Sequence, residues 1–271
     1  MREELAAAIR EALEDGAAAA VFLTGEDGTA EPRVARDPSD AAIEKVATGD
    51  ERYPMAGFVM MLSPLLEGGI AVAGRECDRR MFVELAKHGQ VDPDRIRFIG
   101  IPCSQELADA CGCDHPCPPD SIVACAAGPA QARLVEEATS EDAAERFAFW
   151  MDSFSRCIKC MGCRNVCPMC YCKECALDNL ELVGPESAPP DIPIFHLIRA
   201  VDMADHCVDC GMCEAICPAE IPLRSLYRQA REVVKEAFGY EPGVNPDEKS
   251  PIEKLGEVSD LAGMEEGFRT T

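Results

Sequence analysis

Along Met1 to Gly16 the apolar side chains Leu5, Ile9 and Leu13 recur about one turn apart among acidic neighbours, the pattern of an amphipathic helix. Ala18 to Thr24 is a short unbroken apolar run suited to one buried strand, and Gly25 to Gly28 reads as the turn that ends it. Asp37 to Asp40 offer a cap for a helix carrying Ile43 and Val46. Met55 to Leu66 is the most apolar stretch, but Gly57, Ser63 and Pro64 break it and it is too short to span a bilayer. A strand–helix–strand unit follows. Gly69 to Gly74 is a buried strand, Glu76 to Gly89 carries Met81, Phe82, Leu85 and Ala86 at helical spacing, and Arg95 to Ile101 is a second strand. This alternation predicts a parallel α/β sheet, whose ligands would sit beyond the carboxyl ends of the strands. Those ends carry Arg75, Cys77 and Asp78 in one case, Pro102 and Cys103 in the other.

Further on, the apolar segment around Cys125 (SIVACAAG) predicts another strand with Cys125 in the core, and Gly128 to Thr139 reads as a connection. Thr139 to Asp142 open a helix in which Phe147, Trp150, Met151 and Phe154 form one aromatic stripe. Gly184 to Asp191 is a Pro-rich loop. Pro193 to His206 is a helix bearing Leu197, Ile198 and Val201, with His196 and His206 read as packing or tuning groups. Leu223 to Phe238 is a helix carrying Arg224, Arg228, Arg231 and Lys235, cations that would offset anionic thiolates. From Gly239 periodicity fades, as in a segment lying along a partner or disordered.

Charge and composition narrow the function classes. A formal net charge of −23 over 271 residues argues against nucleic acid, whose phosphates require basic partners. The amino terminus lacks the basic start and apolar core of a signal peptide, so a reducing cytoplasm is expected, with no membrane span. No G-x-G-x-x-G follows a strand and no G-x4-G-K-[ST] occurs, which leaves standard dinucleotide and P-loop sites unsupported.

Seventeen cysteines change the picture most. CIKCMGCRNVCP supplies Cys157, Cys160, Cys163 and Cys167, and CVDCGMCEAICP supplies Cys207, Cys210, Cys213 and Cys217. Each reads C-x2-C-x2-C-x3-C-P, the run that holds 4Fe–4S clusters in bacterial ferredoxins, with the fourth cysteine serving the other cluster. The expected ligand sets are Cys157, Cys160, Cys163 with Cys217, and Cys207, Cys210, Cys213 with Cys167. Zinc accepts thiolate tetrahedra too, yet two complete runs closed by Cys-Pro favour the clusters. Between the runs, Cys170, Cys172 and Cys175 could hold three corners of a third cluster, with a fourth ligand from Cys103, Cys111, Cys113 or Cys117. The alternative is that these thiols line existing clusters or pack as small apolar groups. His115 in the same loop reads as solvated.

The expected organisation is an α/β domain over 1–138 with its Cys-rich loop at 103–117, a mainly α, bacterial-ferredoxin-type dicluster domain over 139–238 carrying the C-x-C-x2-C insert, and an extended acidic tail over 239–271. RECDRRMFVELAKHGQV, RIRFIGIPC, FSRCIKCMGCRNVCPMCYCKEC and FHLIRAVDMADHCVDCGMCEAICP together resemble iron–sulfur subunits related to the β subunits of deazaflavin-dependent hydrogenases and formate dehydrogenases. Such subunits accompany heterodisulfide-reductase-type complexes in anaerobes. The resemblance implies an electron-transfer subunit, itself without a substrate reaction, between a flavin, hydrogenase or formate-dehydrogenase module and a heterodisulfide-reductase-like partner. Full β subunits of this type bind FAD. This chain is shorter and carries its cluster runs at the C-terminal end, so no flavin residue is carried over and FAD is not expected. The alternative is a flavin-containing subunit exchanging hydride with a deazaflavin or nicotinamide.

Overall fold

A computed structural model describes residues 1–25, 29–131, 134–179, 181 and 192–254. The Pro-rich loop from Gly184 to Asp191, most of the turn after Thr24 and the end of the acidic tail lie outside the described residues.

The chain begins with α1 (Arg2–Glu14), β1 (Ala19–Thr24) and β2 (Glu31–Ala35). Next come α2 (Met55–Leu62), β3 (Ile70–Gly74), α3 (Glu76–Lys87), β4 (Ile96–Gly100) and α4 (Gln105–Cys111). The strands form one sheet in the order β2-β1-β3-β4, with β1, β3 and β4 parallel and β2 antiparallel at the edge. β2 has no counterpart in the apolar pattern, because Glu31 and Arg33 face solvent and Pro32 interrupts the run. An edge strand tolerates that proline, having one side without a ladder partner. The expected helix at Ile43 is a short 3-10 turn capped by the Asp40 side chain on the Ala42 N–H.

Strand alternation sorts side chains into two cores. Ala20, Phe22, Ala71, Ala73 and Ile99 face α1, where Leu5, Ile9 and Leu13 close over them. Val21, Ile70 and Val72 face the other way, into a core shared with Met55, Val59, Met81 and Leu85. That second core continues without a break into the cysteine-rich half through Phe154, Met169, Phe195, Leu223 and Tyr227. The sheet and the thiol loops are thus one packed body.

Ser121 makes a single parallel bridge to Gly100, and the apolar segment after it is not a strand. Gly100 allows this crossing: a Cβ there would stand 2.8 Å from Pro118 and 2.9 Å from the Asp120 carbonyl. Cys125 is half-buried and bonded to Cys117 rather than sunk in the core.

The second half is helical: α5 (Ala143–Ser155), α6 (Gly162–Asn165), α7 (Ile192–Asp202), α8 (Met212–Ala215), α9 (Leu223–Phe238) and α10 (Pro251–Lys254). Asp142 caps α5, accepting from the N–H groups of Ala144 and Glu145 at 2.7 and 3.3 Å. Replacing Asp142 by Ala is expected to cost about 1 kcal/mol in denaturant unfolding without altering metal content. Only part of the aromatic stripe faces inward. Trp150 stacks on Phe154 and Phe154 on His196, whereas Phe147 is 68% exposed, because α5 packs against α7 along one side.

The segment after α9 docks rather than trails. Tyr240 is fully buried, and its hydroxyl donates to Glu84 on α3 at 2.6 Å. The Gly243 N–H donates to Glu84 at 2.7 Å, and Arg80 donates to the Pro242 carbonyl at 2.7 Å. Gly243 sits at φ +72°, where a Cβ would meet the Arg80 carbonyl at 2.3 Å. Ser250 then donates to Asp205 at 2.5 Å.

Candidate metal centre

Both cysteine runs fold into the same loop. Lys159 and Met161 in the first have φ of 50° and 59°, and Asp209 and Gly211 at the matching positions of the second have 60° and 75°. A short helix follows each, α6 and α8, and the two touch. The left-handed turns aim backbone donors inward: the Lys159 N–H reaches the Cys157 sulfur at 3.5 Å and the Asp209 N–H reaches Cys207 at 3.4 Å. Three non-glycine residues held in this conformation cost about 1 kcal/mol each, strain that surrounding structure must impose.

The fourth cysteine of each run comes within electrostatic reach of the opposite loop, Cys217 of Cys157 and Cys163, and Cys167 of Cys210. Burial is the main cause that pushes Cys157 and Cys163 above the ordinary thiol range, and repulsion from Cys160 and Cys217 adds to it. Burial also pushes Cys210 up to about 12, with Cys207 adding, while Cys167 feels both Cys170 and Cys210. Thiols crowded into a dry site resist ionisation until a cation is supplied, the condition under which metal binding displaces protons. The backbone N–H groups aimed at the Cys157 and Cys207 sulfurs are donors of the kind that stabilise anionic thiolates.

Arginines surround these loops. Arg199 on α7, 2% exposed, donates to the Cys170 sulfur at 2.9 Å, the Cys163 carbonyl at 3.2 Å and the Tyr227 hydroxyl at 3.0 Å. Arg224 and Arg228 on α9 converge on Asp209 at 3.0 and 2.6 Å, with Arg231 at 3.8 Å. The basic helix is thus tied to a carboxylate inside the second loop, not only to thiols. His196 is buried with no hydrogen-bond partner for either ring nitrogen among the described residues, and burial, then the Arg199 charge, lowers its pKa to about 4. It is a neutral packing group. His206 donates to Asp205 at 2.5 Å and stacks on His88.

The insert thiols stand apart from the loop expected to complete them. Cys170, Cys172 and Cys175 line a cavity of about 370 Å³ together with Arg164, Asp202 and His206, and no residue of 103–117 borders it. Cys170 is held down to about 6, first by the hydrogen bond with Cys167 and then by Arg199, which favours its thiolate. Cys117 is paired with Cys125 and offers no thiolate in that state. Cys103, Cys111 and Cys113 gather at the strand ends of the sheet instead, each within electrostatic reach of another. His115, expected to be solvated, bonds Glu241 at 3.0 Å.

No family model matches the chain. It is similar to the F420-dependent formate dehydrogenase subunit beta of Methanocaldococcus jannaschii, 38% identical over 96 residues, which are 35% of this chain and 25% of the relative. It is also similar to subunit beta of F420-dependent formate dehydrogenase 1 of Methanococcus maripaludis, 45% identical over 102 residues, 38% of this chain and 26% of the relative. The chain is related to these β subunits. The match spans about a quarter of their length.

Relation to the formate dehydrogenase β subunits covers little more than a third of this chain, so the remaining site residues are read from the structure alone. Sequence reasoning missed Arg52, Arg199 and Asp209 as site residues. A lone cation in the apolar run FHLIRAV was the available signal for Arg199. Arg52 had none, since only the tertiary fold brings it to Cys111 and Cys210.

Proposed function

We propose that the chain is an electron-transfer subunit of an oxidoreductase complex, holding two 4Fe–4S clusters in its paired cysteine loops. The observation that carries this reading is the matched pair of left-handed loops, with Cys217 in electrostatic reach of Cys157 and Cys163 and Cys167 in reach of Cys210. Relatives named as β subunits of formate dehydrogenases support it. Cys157, Cys160, Cys163 and Cys217 would hold one cluster, and Cys207, Cys210, Cys213 and Cys167 the other. Cys170, Cys172 and Cys175 would hold a third, its remaining ligand drawn from the cavity wall, where Asp202 and His206 stand, rather than from the 103–117 loop.

A 4Fe–4S cluster accepts and returns one electron, at a potential set by charge, N–H···S bonds and burial. The chain supplies those settings. Lys159 and Asp209 present backbone donors to sulfur, and Arg199 places a buried cation between the loops. On this reading the subunit relays electrons between a flavin, hydrogenase or formate-dehydrogenase module and a heterodisulfide-reductase-like partner, in a reducing cytoplasm. Among the described residues no helix is long and apolar enough to cross a membrane.

Iron and acid-labile sulfide analysis of anaerobically prepared protein tests the assignment. Cys160→Ser and Cys210→Ser are each expected to lose about four irons with matching sulfide, one cluster's worth. Wild-type iron in both variants would sink the ligand sets. One flavin per chain in the native protein would instead favour a flavoenzyme exchanging hydride with a deazaflavin or nicotinamide.

A further inference from the structure

The two edges of the sheet are built differently. β2 closes one of them with Pro32, which has no N–H to offer, between the exposed charges of Glu31 and Arg33. Proline and charge are common protections of an edge strand, whose unpaired backbone invites a further strand. β4 closes the other edge with Ile96, Arg97, Phe98, Ile99 and Gly100, and its register against β3 runs without a bulge.

That register shows which backbone groups are free. The Ile101 N–H donates to the Gly74 carbonyl at 2.8 Å, so Ile99 and Ile101 turn toward β3. Residues between them in an extended strand turn the other way. Gly100 does so: its carbonyl accepts from the Ile122 N–H at 3.2 Å, in a parallel bridge with Ser121. The protein itself thus pairs a strand residue on this edge, but the bridge is a single pair and does not continue to Phe98. Phe98 and Ile96 share the outward orientation of Gly100. The Ile96 N–H is taken by the Pro93 carbonyl, which leaves the Ile96 carbonyl and both backbone groups of Phe98 with no strand beside them among the described residues.

The side chains beside this edge are apolar. Ile96 and Phe98 are half-buried and, with Phe82, Val83 and Ala86 of α3, line a cavity of about 410 Å³. Phe82 meets Phe98 with ring centres 6.3 Å apart. Two cations border the cavity, and both are already paired, Arg79 with Glu76 at 2.6 Å and Lys87 with Glu84 at 3.3 Å. Exposed carboxylates remain. Asp247 lines the cavity, and Asp92 and Asp94 flank Pro93 at its border.

We infer that the β4 edge docks an extended segment of a different protein, which adds a strand beside Phe98, seats one large apolar side chain in the cavity and brings lysine or arginine to the acidic rim. Main-chain bonds supply the affinity of such a contact, and the pocket for alternate side chains supplies its selectivity. Charge decides against a second copy as the occupant. Two chains of −23 would meet acidic rim to acidic rim, whereas a basic segment is drawn in. Docking here needs no cluster in the cysteine runs, so iron analysis bears on the one reading and partner binding on the other.

The test uses the full chain, tagged and recovered from its own cells in complex with its partner. Hydrogen exchange compares the β4 amides in the complex with those of the chain freed by salt. The Phe98 amide is expected to exchange more slowly in the complex, while the Ile99 amide, turned toward β3, is slow in both. Titrating the purified partner back onto the chain gives the affinity. Val83→Asp sets a carboxylate in the cavity and should weaken binding at least about tenfold, with iron content and melting temperature unchanged. Val34→Asp, exposed on β2 at the other edge, should bind as wild type. Unchanged exchange at Phe98 overturns strand addition, as when a helix covers the cavity instead, and this measurement needs no variant. Wild-type binding by Val83→Asp, an equal loss in Val34→Asp, or recovery of the chain without a partner would also overturn it. So would a free chain that sediments as a dimer and is made monomeric by Val83→Asp, since the occupant would then be a second copy.

Discussion

Arg199→Met is expected to destabilise the protein by about 3–5 kcal/mol, because it removes a buried cation that three groups depend on. The guanidinium is 2% exposed and bonds the Cys170 sulfur, the Cys163 carbonyl and the Tyr227 hydroxyl. Methionine fills much of the volume and replaces none of those bonds. The Cys163 carbonyl and the Tyr227 hydroxyl lose this donor while buried, at about 1–3 kcal/mol for a neutral group, and Cys170 keeps only its bond with Cys167. Denaturant unfolding of the anaerobic protein measures the loss. A second consequence separates charge from packing. Losing a nearby positive charge makes an added electron less welcome, so clusters held on the paired loops as proposed should shift to lower potential. Arg199→Lys, which keeps the charge but loses the forked geometry, should recover part of the potential and less of the stability. An unchanged potential in Arg199→Met would mean that the cation serves packing alone.

Glu84→Ala should cost a comparable amount, about 3–5 kcal/mol, at a point far from the cysteine runs in sequence. Glu84 is fully buried on α3 and accepts from the Tyr240 hydroxyl, the Gly243 N–H, Lys87 at 3.3 Å and His88 at 3.3 Å. It is the knot that ties residues 239–243 to the sheet-side helix. Its removal should expose that segment to limited proteolysis before the rest of the fold gives way. The pH dependence has a defined sign. Burial opposes the charge on Glu84, but bonds from His88 and Tyr240 and the Lys87 ammonium outweigh it, so its pKa lies below the ordinary glutamate value. A carboxylate with a depressed folded pKa contributes its full stability above the unfolded value, about 4.3, and loses it as pH falls through the folded value. The stability gap between wild type and Glu84→Gln should therefore be constant near neutrality and shrink in that acid window. A gap that stays constant down to pH 3 would contradict the assignment.

Several features were legible from local sequence. The strand–helix–strand from Gly69 to Ile101 announced itself because a buried parallel strand is apolar throughout and its helix is apolar at every third or fourth position. The spacing of the paired runs fixes which cysteines share a loop, since so few residues separate them. β2 was invisible, because an edge strand with exposed Glu31 and Arg33 carries little apolar signal. The apolar stretch at Cys125 misled in the opposite direction. Its composition suits a strand, but only one bridge to Gly100 is available, and Cys117 claims its cysteine.

What the sequence determined unaided about this protein is what short chain segments dictate: helix faces, buried strands, and the two runs whose cysteines are close enough to share a loop. What only the tertiary structure decided is which distant groups meet. Cys77 comes within electrostatic reach of Cys103 because β3 and β4 pair in register. The insert thiols and the 103–117 loop line separate places. Tyr240 is buried with its hydroxyl donating to Glu84 on α3. Such meetings depend on the packing of whole elements, and no periodicity along a single segment encodes them.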